Sequence, residues 1–310
     1  MLGICCHWLR EETKPRSGQK FLVNEMDERS LQLGRFRSGK YTPDYIKETY
    51  LHNVAGLNRM IPKIRSHGIK LFRISSALLP LADQVDRSLW DNEELSSSLK
   101  KLGDFVKAND MRVTMHPGQF CVLSSDSESV VDNAFRELSI HAWVMDAMGL
   151  DVSPKWAINI HGGKMNKSEA LIRRIDKLPD NVRGRLTLEN DESCYNVIEL
   201  LEVYQRSNVP VCFDTHHHTF NDGGLTTDEA HAATAETWPS GVKPLQHISN
   251  TDPLLLNGSF SDRRKHSDMI HYVTQPQLDG LLKDEIDVEV ECKMKNIGVF
   301  KMAKDFNIPL

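Results

Sequence analysis

Eight short apolar runs recur along the chain, separated by longer stretches of helical periodicity, and this alternation constrains the fold more than any other feature. The runs cover residues 2–9, 69–74, 111–116, 156–161, 185–189, 209–214, 245–249 and 287–291. Between them, apolar residues recur near every 3.6 positions over 45–66, 95–108, 130–148, 168–177, 194–205 and 227–237. The segments before 245 and before 287 carry weaker helical patterns. Gly68, Asp110, Pro154, Gly184, Pro210 and Pro244 punctuate the joins. Strand–helix alternation of this kind calls for parallel strands joined by right-handed crossovers. Eight such units close into a (β/α)8 TIM barrel. The runs read as near-continuous apolar strands, as expected where both faces are covered. The expected organisation is one α/β domain over residues 1–310.

Residues 10–43 break the rhythm and are expected to form an extended loop inserted after the first strand. Eight Lys or Arg fall there (10, 14, 16, 20, 29, 35, 37 and 40) against five acids (11, 12, 25, 27 and 28). Such a stretch reads as a solvated surface loop, or as one that touches a polyanion over the catalytic face.

The chemistry gathers at the strand ends. Successive runs end in His116-Pro117-Gly118-Gln119, His161-Gly162-Gly163, Glu189-Asn190-Asp191 and Asp214-Thr215-His216-His217-His218. The last two carry His247 and Glu291. In a barrel, those ends converge on the mouth where active sites are built. A single strand-end His or Asp is commonly structural, as a buried hydrogen-bonding ring or a helix N-cap. Six in succession are different. Carboxylates and imidazoles crowded into one cleft desolvate and repel one another unless cations lie among them. Mixed nitrogen and oxygen ligands suit Mn, Zn or Fe, and the number of ligands implies more than one ion. Paired ions suit displacement at a phosphodiester.

Composition adds exclusions. The net charge of −5 argues against a protein that coats nucleic acid through overall basicity. No window approaches the roughly 20 apolar residues of a membrane span. Six Cys without a CxxC pair fit a reducing compartment, the cytoplasm or, in a eukaryote, the nucleus. Nothing points to an obligate protein partner. Cys292 is expected to pack away from the site, by strand alternation from Glu291.

The motifs Phe72-Arg73-Ile74-Ser75-Ser76, Met115-His116-Pro117-Gly118-Gln119, Leu188-Glu189-Asn190-Asp191-Glu192, Asp214-Thr215-His216-His217, His266-Ser267-Asp268 and Val290-Glu291-Cys292-Lys293 stand in an order that resembles the UV damage endonuclease family. The resemblance spans residues 41–295. It implies a metal-dependent TIM barrel similar to the endonuclease IV family. It also implies a substrate, damaged double-stranded DNA, nicked immediately 5′ to UV photoproducts to leave 3′-hydroxyl and 5′-phosphate ends. It further implies two or three divalent ions, manganese first, with zinc, iron or cobalt as alternatives. On that resemblance His116, His161 and Glu189 hold one ion. Glu189 bridges to a second, completed by Asp214, His247 and Glu291, and His217 with His266 holds a third. Glu189, Asp214 and Glu291 are the candidate catalytic carboxylates. Gln119 and Phe120 match the pair that probes the duplex at the lesion.

The chain departs from the family in places. Phe120 stands where Tyr is usual, Ala77 where some members have a ligand-type His, and Leu245 where some have a Lys. Ile4 falls near the position of a first-strand Tyr. Two other enzyme readings share the barrel: an abasic-site endonuclease of the endonuclease IV type and a metal-dependent sugar isomerase or epimerase. A non-catalytic damage-binding protein is a further reading, against which the complete ligand set argues.

Overall fold

Each apolar run contributes a strand of only four residues, and each periodic stretch supplies the helix behind it. The computed structural model describes residues 1–14 and 18–310. Its strands are β1 (Leu2–Cys5), β2 (Leu9–Thr13), β3 (Lys20–Asn24), β4 (Leu71–Ile74), β5 (Arg112–Met115), β6 (Ile158–His161), β7 (Leu186–Glu189), β8 (Val211–Asp214), β9 (Leu245–Ile248) and β10 (Asp287–Val290). Its helices are α1 (Leu33–Arg37), α2 (Pro43–Ser66), α3 (Glu93–Ala108), α4 (Glu128–Ala147), α5 (Ser168–Ile175), α6 (Asp180–Arg183), α7 (Val197–Ser207), α8 (Thr215–His218), α9 (Thr227–Ala235), α10 (Phe260–Arg263), α11 (Gln275–Leu282) and α12 (Lys295–Asp305). Eight parallel strands close into a barrel in the order β1-β10-β9-β8-β7-β6-β5-β4. The expected (β/α)8 architecture is therefore the observed one.

Two expectations change. The first run stops at Cys5, because Cys6 takes a left-handed backbone with φ of 65°. The chain after it is no irregular loop. Leu9 to Thr13 pairs antiparallel with Lys20 to Asn24, and α1 follows. The hairpin is tied to the barrel through Asn296, whose side chain accepts from Leu9 N at 2.7 Å and donates to Leu9 O at 3.0 Å. Some of its cations are matched by nearby acids. Arg10 meets Glu12 and Glu25, Lys20 meets Glu11 at 2.7 Å, and Arg29 meets Glu48 at 3.2 Å. Among the described residues, Lys14, Arg35, Arg37 and Lys40 make no ion pair, so most of the free positive charge lies on α1 and the entry to α2, with Lys14 donating to Gln19 instead. Arg16 lies outside the described residues.

The strands are also less apolar than their sequences suggest. Arg73, Thr114, Asn159, Thr187 and Glu289 lie within them, and all but Arg73 are almost fully buried. They alternate with Phe72, Ile74, Val113, Met115, Ile158, Ile160, Leu186, Leu188, Val288 and Val290, which pack in the two main hydrophobic clusters with the helices. Period-2 alternation thus separates a helix-facing apolar layer from a polar barrel interior. At the N-terminal mouth Arg112 acts as a plug. It pairs with Asp287 at 2.8 Å and donates to the carbonyls of Lys155, Lys243 and Pro154. With each of the three guanidinium nitrogens donating, the buried charge is matched.

Candidate active site

The C-terminal strand ends bring together most of the residues expected from the sequence. Glu189, at the end of β7, lies at the centre with 1% exposure. His116 Nε2 is 3.0 Å from its Oε2, while His217 Nδ1 and His247 Nδ1 lie 3.3 and 3.1 Å from its Oε1. His161 pairs in register with Glu189 across β6 and β7. Its ring centre is 5.3 Å from that of His116 and 5.4 Å from that of His217. Asp214 pairs in register with His247 across β8 and β9. His247 Nδ1 is also 3.4 Å from Glu291 Oε1.

Three groups in this cluster have ligand atoms within 4.8 Å of one another: His116–His161–Glu189, Glu189–Asp214–His217 and Asp214–His247–Glu291. Glu189 belongs to the first two and Asp214 to the last two, so the carboxylates link the groups into a chain. His266 stands apart at the rim, with Nδ1 3.6 Å from Glu291 Oε2 and its ring 5.9 Å from that of His216. It enters no such group among the described residues. His217 joins Glu189 and Asp214.

The donor set fits divalent cations on its own chemistry. His116 Nδ1 lies 2.9 Å from the carbonyl of Pro117, which can only accept, so Nδ1 carries the hydrogen. In the neutral ring the Nε2 lone pair then faces the Glu189 carboxylate. Two acceptors at that separation are held together by a shared cation or by ring protonation. A carbonyl fixing the far nitrogen is a usual support for a metal-bound imidazole. Asp214 uses Oδ1 to accept from His217 N at 2.7 Å, capping the turn that presents His217. Its Oδ2 is buried without a partner, and so is His161 Nδ1. Orphaned buried acceptors of this kind call for an ion or water.

The electrostatics follow from burial and contact. Burial alone would push the Glu189 carboxyl up. The His247 and His161 rings, with the close contacts of His116 and His217, outweigh it and hold Glu189 well below the usual range. Burial likewise opposes ionisation of Glu291, and Arg73 then His247 reverse that. His161 moves the other way, with burial pushing it down toward the neutral form that binds metal.

Three supporting residues escape the strand-end reading. Asn159 donates to Glu189 and accepts from Thr187. Arg73 pairs with Glu291 and lies 3.3 Å from Glu289. Glu289 lies 3.0 Å from His247 Nε2 and accepts from Thr114. These residues occupy the layer just beneath the candidate ligands. Their signal is the period-2 polarity of the strands, clearest in Asp287-Val288-Glu289-Val290-Glu291.

The remaining histidines and the glycine pair resolve individually. His218 is buried and bonds the Leu225 carbonyl through Nε2, a structural role. His216 is buried beside Ser249, with Nδ1 3.0 Å from its hydroxyl. Gly162 is required by close approach, since a Cβ there would sit 2.5 Å from the Tyr195 ring. Cys292 is buried as expected, and all six cysteines are free thiols.

Gln119 and Phe120 stand on the loop after β5. Phe120 is 78% exposed, which rules out core packing as its role. A cleft of about 400 Å³ runs from His116 and Gln119 to His161 and Glu192. A larger cavity of about 630 Å³ opens on the other side of Phe120, lined by Ala77, Leu79, Met115 and His141.

The profile of the family described as UV-endonuclease UvdE matches residues 21–308. This chain belongs to that family. The match takes in β3, well before residue 41. The UV DNA damage endonuclease of Nostoc sp. is 35% identical over 302 residues, 94% of this chain and 90% of that protein. That of Bacillus cereus strain G9842 is 30% identical over 249 residues, covering 78% of this chain and 77% of its own. The crystal structure of SacUVDE superposes with a TM-score of 0.79 at 27% identity, over 99% of both chains. Endonuclease IV from Thermus thermophilus shares the fold, with a TM-score of 0.56 at 14% identity over 82% of this chain and 93% of its own. No helix among the described residues is long and apolar enough to cross a membrane.

Proposed function

We propose that this chain nicks double-stranded DNA on the 5′ side of UV photoproducts, using divalent ions held in the barrel mouth. The observation that carries this reading is the chain of three ligand groups sharing Glu189 and Asp214, in a member of the UV-endonuclease family. His116, His161 and Glu189 would hold one ion, and Glu189, Asp214, His247 and Glu291 a second. His217 and His266 would hold a third, with His217 also within reach of Glu189. Manganese is the first candidate, with zinc, iron or cobalt as alternatives. Bound there, such ions would lower the pKa of a water and neutralise charge on the phosphate and the departing 3′ oxygen.

The chain's own residues then set geometry. Asn159 and the ring of histidines fix both Glu189 oxygens. Arg73 holds Glu291 and Glu289 in place. A photoproduct weakens stacking, so extruding the damaged pair costs less than extruding normal bases. Gln119 and Phe120 fill the gap left behind. Phe120→Ala is therefore expected to leave the denaturation midpoint and metal content unchanged while damaged-duplex nicking falls about tenfold, the size of one lost stacking contact of roughly 1–3 kcal/mol. Chemical denaturation beside single-turnover nicking checks this, and a destabilised variant with unchanged nicking would refute it.

One comparison separates the rival chemistries. Manganese-loaded protein is offered a duplex with one cyclobutane dimer, a duplex with one abasic site, and a ketose. Nicking of the first at the bond 5′ to the dimer, leaving a 3′-hydroxyl, supports the reading. Turnover of the abasic duplex alone, or epimerisation of the ketose, would replace it.

A further inference from the structure

Among the described residues the two most exposed large apolar side chains are Leu254, at 91%, and Phe120, at 78%. Phe120 follows β5 and Leu254 follows β9. The closed strand order places these strands four steps apart in either direction, on opposite walls of the mouth. The ligand cluster lies between them. Leu256 and Tyr272, the next most exposed, belong to the same loop after β9.

That loop is built rather than slack. A bridge between Thr251 and His266 closes its base. Asp252 accepts from Leu254 N at 2.9 Å and from Leu255 N at 2.7 Å, and Gly258 N donates to Leu255 O at 2.8 Å. Arg264 pairs with Glu192 at 2.8 Å, beside the cluster. An uncovered leucine therefore stands on a fixed stalk whose base carries His266. Three consecutive cations mark the stalk, of which Arg264 is held by Glu192 and Lys265 by Asp262 at 2.8 Å. Arg263 makes no ion pair among the described residues and lies over the Phe220 ring. An apolar tip above a cationic stem matches a phosphodiester strand with bases over it.

We propose that Leu254 is a second wedge, entering the duplex from the side of the mouth opposite Phe120. Extruding two adjacent bases breaks stacking at two steps, one on each flank of the lesion. Phe120 props one flank and Leu254 the other. Leu254 is thus a specificity determinant for a two-base lesion. This rests on duplex DNA being the substrate.

The test uses full-length, manganese-loaded protein and duplexes with one cyclobutane dimer. 2-Aminopurine, whose fluorescence rises on unstacking, is placed on the 5′ flank in one duplex and the 3′ flank in another. The parent protein is expected to raise fluorescence at both flanks. Leu254→Ser should lose the rise at one flank and Phe120→Ala at the other. Nicking by Leu254→Ser should fall about tenfold on the paired duplex, as for loss of one base contact. It should stay within twofold of the parent when the dimer sits opposite unpaired bases. Leu254→Phe should retain both signals. A Leu254→Ser protein that unstacks and nicks like the parent overturns the wedge. So does one that loses activity equally on the pre-opened duplex. A variant changed only in self-association marks the tip as a contact between copies and also overturns it. Failure of the parent to nick either duplex instead overturns the proposed function itself.

Discussion

Glu189→Gln is expected to reduce nicking of damaged duplex by roughly 10³-fold, about 4 kcal/mol at 1.36 kcal/mol per tenfold. The substitution keeps the side-chain shape and the contact from Asn159 but removes the negative charge. Among the described residues Glu189 is the one acid that reaches His116, His217 and His247 together. It belongs to two of the three ligand groups. An amide presents one weak oxygen donor where a bridge needs two charged ones. The fold should survive, because Glu189 anchors no helix and the amide still fills the same space. Single-turnover nicking and metal content per chain, with circular dichroism as a control, check this. Near-parental nicking with a full metal complement would remove Glu189 from the bridging role.

Arg73→Met is expected to destabilise the protein by about 3–5 kcal/mol, the usual cost of removing one partner from a buried ion network. The guanidinium is 11% exposed and faces two acids, Glu291 and Glu289. Glu289 is buried at the layer below the candidate ligands, where bulk solvent cannot screen it. Without Arg73, His247 is left as the cationic neighbour common to Glu289 and Glu291. Methionine fills most of the volume, so the loss comes from unpaired charge rather than a cavity. Urea denaturation of metal-free protein measures it directly. A loss below about 1 kcal/mol would show that the acids find other partners or take up protons.

The barrel is legible in the sequence because alternating apolar runs and helical periodicity survive without any tertiary information. The candidate ligands are legible for a related reason. A polar residue at the end of an apolar run, as at Glu189 or Asp214, stands out against its neighbours. Arg73, Asn159 and Glu289 are harder to see, because each lies inside a run whose aliphatic neighbours dominate it. Their inward direction follows only once the strand is known to line a barrel. The hairpin is obscured differently. Its strands Leu9–Thr13 and Lys20–Asn24 are rich in charge, and Arg10, Glu11, Glu12 and Lys20 read as loop. Cross-strand and neighbouring pairs neutralise those charges only after the hairpin forms. His266 shows a limit of another kind. Its motif places it near the site, but its distance from His217 and Glu291 depends on the course of the 251–266 loop.

The most direct test joins the cluster to the chemistry on one molecule. A duplex carrying a single cyclobutane dimer is incubated with protein stripped by chelator, and with the same protein reloaded with manganese. The account predicts a single nick at the phosphodiester 5′ to the dimer, with a 3′-hydroxyl end, in the reloaded sample alone. It also predicts at least two ions per chain in that sample by elemental analysis. An equal nick in the stripped protein, or reloading that restores neither two ions nor cleavage, would contradict it.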